Sequence, residues 1–289
     1  MTPVVQAFFD PATSTISYLV SDPATKAAAV TDPVADFEPQ GARLSHGSAD
    51  AILAAVAAQG LDLRYVLETH AHADHLTAAA HLKRETGARV AIGRGITQVQ
   101  ERFKALFGLE PGFATDGSQF DRLFADGDTF RIGDLEARVI ATPGHTDDSL
   151  TYVVGDAAFV GDTVFAPETG TARVDFPGGD ARKLYGSIQR LFDLPADTRI
   201  FLCHDYPAGR EANGLTTIDV QRRDNIHVGG GADEASFVRM RTERDAGLAV
   251  PKLILPALQV NIRAGELPPP DANGIRYLRL PLDQLGGGA

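Results

Sequence analysis

The run His70-Ala71-His72-Ala73-Asp74-His75 places three imidazoles and a carboxylate in six residues, directly after an apolar stretch that ends at Thr69. A first-row metal ion needs several neutral nitrogens and anionic oxygens converging on one point, and a loop at a strand's end can aim neighbouring side chains inward in a way a regular helix cannot. A single histidine is more often a surface or satisfied core residue. Four donor groups in one short loop argue for a metal site instead. Three further candidate ligands recur at similar junctions: His145 in Thr142-Pro143-Gly144-His145-Thr146, Asp162 in Phe159-Val160-Gly161-Asp162-Thr163, and His204 in Phe201-Leu202-Cys203-His204-Asp205. Five of the eight histidines therefore sit in these motifs, a concentration that decides for a site over scatter. His46, His81 and His227 lie outside and read as surface or structural residues.

The elements that must aim these groups follow from patterning. Val4 to Phe9, Ser17 to Val20 and Ala27 to Thr31 are strand-like runs broken by Asp10-Pro11 and Asp22-Pro23. Ala51 to Ala58 predicts a helix capped by Ser48 or Asp50 and closed near Gly60. Arg64 to Thr69 reads as a buried strand, leading through the histidine loop into a helix from Thr77 to Thr86. A strand at Arg89 to Ile92 and a helix from about Thr97 to Phe107 come next. Beyond Asp128 lie Thr129 to Ile132, Glu136 to Ala141, Leu150 to Val154 and Ala157 to Val160, separated by glycine turns. Asp180 caps a helix through Phe192 whose Leu184, Ile188, Leu191 and Phe192 share one face, and Arg199 to Leu202 is a further strand. Ala232 to Ala246 predicts a charged helix, after which Pro251, Pro256 and Pro268-Pro269-Pro270 predict irregular chain. Strand-rich halves with interspersed helices imply an α+β protein of two packed sheets with helices outside.

Composition narrows the functional classes. The 289 residues carry 27 Lys and Arg against 38 Asp and Glu, a net charge of −11, with 44% hydrophobic residues. So acidic a chain lacks the general positive field that draws proteins to nucleic acid or to anionic membranes. No stretch approaches the ~20 apolar residues of a membrane-spanning helix. One cysteine cannot make an internal disulfide, and the first residues show no secretory signal pattern, so a cytoplasmic location is expected. Cys203, at the end of an apolar strand, reads as a buried structural thiol and not a nucleophile.

Taken in order, the metal motifs resemble the metallo-β-lactamase superfamily, whose signature is His-x-His-x-Asp-His followed by a distant His, Asp and His. The resemblance implies an αββα sandwich of two packed mixed β-sheets flanked by helices, with the metal at one edge. It implies a single domain over residues 1–289 in which 206–289 form a C-terminal extension packed on the sandwich. Within the superfamily, Gly170-Thr171-Ala172-Arg173-Val174-Asp175-Phe176-Pro177-Gly178-Gly179, His204-Asp205-Tyr206 and Arg222-Arg223-Asp224-Asn225 are similar to stretches of the persulfide dioxygenases. That resemblance implies one Fe(II) per chain held by His70, His145 and Asp162, a two-histidine, one-carboxylate facial triad that leaves positions open for oxygen and a sulfur. His72, Asp74, His75 and His204 would orient ligands and hold water. The implied reaction is oxidation of glutathione persulfide by O2 to sulfite and glutathione. Arg173, Tyr206, Arg222 and Asn225 are the implied substrate-binding residues, because an anionic thiol needs local cations on an acidic protein. A sulfurtransferase is a candidate partner, and a homodimer a candidate assembly.

Two other readings use the same residues. A glyoxalase II-like thioester hydrolase would hold two Zn(II) with all seven donors, Asp162 and a hydroxide bridging them. The stretch around Arg173 and the C-terminal segment argue against it. A non-catalytic metal- or sulfide-sensing module would keep the site and act through a partner.

Overall fold

The structure is a computed structural model that describes residues 2–285. The chain begins with three strands, β1 (Val4–Asp10), β2 (Thr15–Ser21) and β3 (Ala27–Thr31), then a hairpin of β4 (Val34–Glu38) and β5 (Arg43–Ser45). Helix α1 (Gly47–Ala58) leads to β6 (Asp62–Leu67), and the short β7 (Leu76–Thr77) precedes α2 (Ala79–Thr86). Then come β8 (Arg89–Gly93), α3 (Ile96–Phe107), β9 (Arg122–Phe124), β10 (Thr129–Ile132), β11 (Leu135–Ala141), β12 (Leu150–Val154) and β13 (Ala157–Phe159). The remainder comprises α4 (Ala181–Phe192), β14 (Arg199–Phe201), β15 (Leu215–Thr217), α5 (Ile218–Asp224), α6 (Glu234–Asp245) and α7 (Ile254–Asn261).

Two mixed six-stranded sheets result, in the orders β1-β2-β3-β6-β8-β9 and β10-β11-β12-β13-β14-β15. β2 and β3 are buried along their whole length, which explains their unbroken apolar runs: both faces of the sheet are covered. Tyr18, Phe124, Phe130, Tyr152, Phe159 and Phe201 fill the space between the sheets. Phe124 and Phe130 have ring centroids 4.8 Å apart, and Tyr18 meets Phe201 edge-on at 5.2 Å. A second cluster lies under α1, α2, α3 and α7 on one outer face, and a third joins α4, α5 and α6 on the other. This is the expected αββα sandwich. Among the described residues no helix is long and apolar enough to cross a membrane.

Several local expectations are corrected. Ser48 and Asp50 do not cap α1. The helix starts at Gly47, and Asp36 on β4 does the work instead, accepting from the Ser48 amide at 3.0 Å and its hydroxyl at 2.5 Å. Thr77 lies outside α2 because its hydroxyl donates to Glu68 at 2.5 Å while accepting from the Ala79 amide. Residues 254–261 are helical despite Pro256, which sits in the first turn where the missing N–H has no intrahelical acceptor. Residues beyond 206 are woven into both layers. β15 pairs with β14, while Ile254, Ala257 and Leu258 of α7 enter the outer cluster on the opposite side. Residues 286–289 of that predicted extension lie outside the described residues.

The topology explains why the motifs meet. β11 and β13 are both antiparallel to β12, and β14 is parallel to β13, so the segments following β11, β13 and β14 leave one edge of the second sheet. The Leu150 amide donates to Thr69 O at 2.8 Å and the Ala71 amide to Asp148 at 2.8 Å, which joins the segment after β6 to that edge. The turn carrying His145 is fixed by Gly144, whose φ is +138° and whose carbonyl accepts from the Asp180 amide that begins α4. A Cβ at Gly144 would stand 2.2 Å from the Leu184 nitrogen. Gly144→Ala should therefore cost about 2–4 kcal/mol, from strained backbone and the forced shift of α4, and lower metal retention with it. Thermal denaturation together with metal content checks this, and an unshifted Tm would contradict the packing argument.

Candidate metal centre

β3 ends at Thr31, and the next residue, Asp32, turns its carboxylate under the end of β6. It accepts from the Thr69 amide at 2.7 Å and the Thr69 hydroxyl at 3.1 Å, and its Oδ1 lies 2.9 Å from His72 Nε2. Because the Thr69 hydroxyl already donates to Asp32, it is free to accept from His70 Nδ1 at 3.1 Å. His75 Nδ1 shares a hydrogen bond with the Thr15 hydroxyl at 3.3 Å, His204 Nδ1 donates to Ser14 O at 3.2 Å, and His145 Nδ1 donates to Arg173 O at 2.7 Å. Each of the five rings is thus anchored through one nitrogen.

The opposite nitrogens point to the chemistry. His70 Nε2, His72 Nδ1, His75 Nε2, His204 Nε2 and Asp162 Oδ1 are buried without a hydrogen-bond partner. His204 Nε2 lies 3.0 Å from Asp74 Oδ2 and 3.3 Å from Asp162 Oδ1, close in distance but without hydrogen-bond alignment. Buried polar atoms are nearly always paired. A cluster of orphaned donors on rings held from behind is what a metal requires, so these residues fit one. One ligand atom each from His70, His145 and Asp162 lie within 4.8 Å of one another, and the same holds for His72, Asp74 and His75. Burial and the neighbouring His72 charge hold His70 and His75 below the usual histidine range, favouring neutral imidazoles. Burial opposes ionisation of Asp74 and Asp162, but the His204 charge outweighs it and keeps both well below the usual carboxylate range. Neutral nitrogens and ionised carboxylates are the ligating forms.

Behind the ligands stand residues no motif announced. Burial and then the Asp32 charge push the Glu68 carboxyl up to about 8. Burial disfavours protonated His72, yet Asp32 more than compensates and raises it to about 9. Asn261, the last residue of α7, clasps the histidine loop. Its Nδ2 donates to His72 O and His75 O, each at 2.8 Å, and its Oδ1 accepts from the Thr77 amide at 2.9 Å.

A cavity of about 510 Å³ opens over Asp74, His145 and Asp162, walled by Phe165, Phe176, Arg173, Arg241 and Arg244. A second, of about 890 Å³ between the β1–β2 turn and the β4–β5 hairpin, meets it at Asp74, Tyr206 and Pro251. Arg173 lies in the wall with both guanidinium ends on Asp175 at 2.6 Å, stacked on Phe176. Tyr206 stands half-exposed at the junction of the cavities. Arg222 and Asn225, the other two residues expected to meet substrate, line neither cavity. The Arg222 guanidinium donates to Leu194 O at 3.1 Å, and buried Asn225 braces the Gly170 turn by donating to its carbonyl at 3.0 Å. His227 is structural, accepting from the Thr171 amide at 2.9 Å. Burial pushes the Cys203 thiol well above its ordinary range, as expected for an inert cysteine.

Asn261→Ala removes three hydrogen bonds that hold the backbone carrying His72 and His75. Metal affinity should fall about 10- to 100-fold, the usual effect of removing an outer support of a metal ligand. Competition with a chelator checks this, and unchanged affinity would show that the clasp does not position the loop.

The sequence profile of the metallo-beta-lactamase superfamily matches residues 11–204. The chain is 52% identical to a probable metallo-hydrolase of Burkholderia pseudomallei (strain 1710b), over 97% of this chain and 99% of that protein. Identity is 44% to Glyoxylase B2 of Dictyostelium discoideum, over 97% of each. It is 30% to the mitochondrial persulfide dioxygenase ETHE1 of Homo sapiens, over 91% of this chain and 89% of that one. Among solved structures, ETHE1 from Myxococcus xanthus superposes with a TM-score of 0.72 at 34% identity, covering 91% of this chain and 100% of the other. With its signature donors gathered on one edge of an αββα sandwich, the chain belongs to the metallo-β-lactamase superfamily.

Proposed function

We propose that the protein is a persulfide dioxygenase, oxidising glutathione persulfide with O2 to sulfite and glutathione at one Fe(II) held by His70, His145 and Asp162. The observation that carries this reading is the convergence of two imidazoles and one carboxylate within 4.8 Å beneath a cavity lined by guanidiniums. Likeness to the human persulfide dioxygenase supports it. Fe(II) bound there would supply the redox chemistry that lets O2 react with a sulfur anion.

The chain's own residues do the rest. His70 and His145 are oriented by the Thr69 hydroxyl and the Arg173 carbonyl. Asp162 brings negative charge that balances the cation. Phe165 and Phe176 keep the cavity dry on its inner side. The overall reaction takes up one water and releases two protons along with sulfite and the thiol. His204 Nε2, between Asp74 and Asp162, is placed to hold a proton near the reacting sulfur.

A second reading rests on a specific observation: His72 Nδ1, His75 Nε2 and His204 Nε2 are also unpartnered, so a dizinc thioester hydrolase would find every donor present. The name of the Burkholderia relative, a probable metallo-hydrolase, agrees with hydrolysis.

Metal analysis and oxygen uptake on one purified sample separate the two. The dioxygenase reading expects about one iron per chain and oxygen consumption that requires glutathione persulfide. Two zinc ions and thioester hydrolysis without oxygen use would overturn it. Asp162→Ala should abolish iron retention and oxygen consumption together.

A further inference from the structure

Three guanidiniums line the smaller cavity beside the metal ligands, and two are already committed. Arg173 holds Asp175 with both ends at 2.6 Å and donates to Ala249 O at 2.7 Å. Arg241, 2% exposed, donates to Asp245 at 2.5 Å, Thr171 O at 2.9 Å and Ala172 O at 3.2 Å. Arg244, one turn further along α6, makes no hydrogen bond or ion pair among the described residues. Arg244 is exposed at the cavity mouth, so its charge faces the opening without a protein partner. Beside it, the Arg241 Nε is buried and unpaired. On a chain of net charge −11, an uncommitted arginine in the cavity that opens onto His145 and Asp162 calls for an anion.

We infer that Arg244 reads the carboxylate of the substrate, with Arg241 as its rigid backing, and that Arg173 serves the wall and His145 instead. The inference rests on the thiol-substrate reading above and adds an orientation to it. The metal ligands take the sulfur end, which leaves the carboxylate for the arginine-lined wall opposite. Phe165, Phe176 and Leu248 line the space between, an apolar stretch that suits the methylene chain linking the two ends. In glutathione the α-carboxylate of the glutamyl end sits beside an ammonium that an arginine wall repels. The glycyl carboxylate is an isolated anion, and it is the group Arg244 fits.

The test is a double-mutant cycle between protein and ligand. Calorimetry measures binding of reduced glutathione and of its glycyl ethyl ester to the iron-loaded protein under anaerobic conditions, in wild type and Arg244→Ala. Losing a hydrogen bond between charged groups weakens binding about tenfold or more. Esterification should do this in wild type, Arg244→Ala should do it for glutathione, and the two together should cost no more than either alone. Arg244→Lys should restore part of the affinity. In oxygen uptake, Arg244→Ala should raise KM about tenfold while kcat stays within about twofold. The inference is overturned if wild type binds no glutathione, if Arg244→Ala binds it as tightly as wild type, or if the variant still discriminates against the ester. Should the protein consume no oxygen with any persulfide while the binding cycle holds, the dioxygenase reading fails and the assignment of Arg244 stands.

Discussion

Five imidazoles are buried at one edge of the sandwich with one nitrogen anchored and the other left for a ligand, and this constraint governs the surrounding structure. A buried polar atom without a partner costs about 1–3 kcal/mol, so folding alone would turn such rings toward any available acceptor. They are prevented because the anchors belong to several separate, well-packed segments. Thr69 follows β6, Asp32 follows β3, Ser14 and Thr15 lie where the β1–β2 turn enters β2, and the Arg173 carbonyl comes from the long segment before α4. The metal site is thus held by both sheets at once, and it needs the aromatic core between them to fix their relative position.

Charge is arranged in the same direction. Asp32 is buried behind the ligands and brings negative potential beneath them, with the Thr69 amide and hydroxyl taking up its lone pairs. On the opposite side of the cavity stand Arg173, Arg241 and Arg244. The net acidity of the chain therefore conceals a polarised site, negative under the metal and positive at the far wall. A neutral ligand would gain little from that polarity, whereas an anion whose second functional group binds metal matches both ends.

The histidine motifs were legible because so many donors rarely crowd into one short loop without a shared ligand, and the strands around them because burial on both faces imposes long apolar runs. The supports were not. Asp32 stands in Thr31-Asp32-Pro33, which reads as a turn, and its role appears only once β3 lies beside β6. Asn261 closes an apolar run in which a lone polar residue was a weak signal, overshadowed by the helix-breaking reputation of Pro256. Arg241 and Arg244 looked like the solvated face of a charged helix, since sequence does not say which face of α6 meets the cavity. Arg222 and Asn225 were singled out because they match a family stretch, and their side chains meet Leu194 and Gly170.

What separates the chemistries open to this superfamily is which donors share a point, since the same residue types serve both. Here His70, His145 and Asp162 converge, while His72 gathers with Asp32 and Glu68, with Asp74 and His75, or with Cys203 and His204. The reason lies in the tether: His72 Nε2 sits 2.9 Å from Asp32 and 3.8 Å from Glu68, which draws the ring back toward the buried carboxylates. The same tether leaves His72 Nδ1 free on the cavity side, where it gathers with Asp74 and His75. Filling the second position asks His72 and His75 to act together, and both hang from the loop that Asn261 holds by its backbone. The placement of the donors at this edge is accordingly set by residues that stand behind them, Asp32, Glu68 and Asn261.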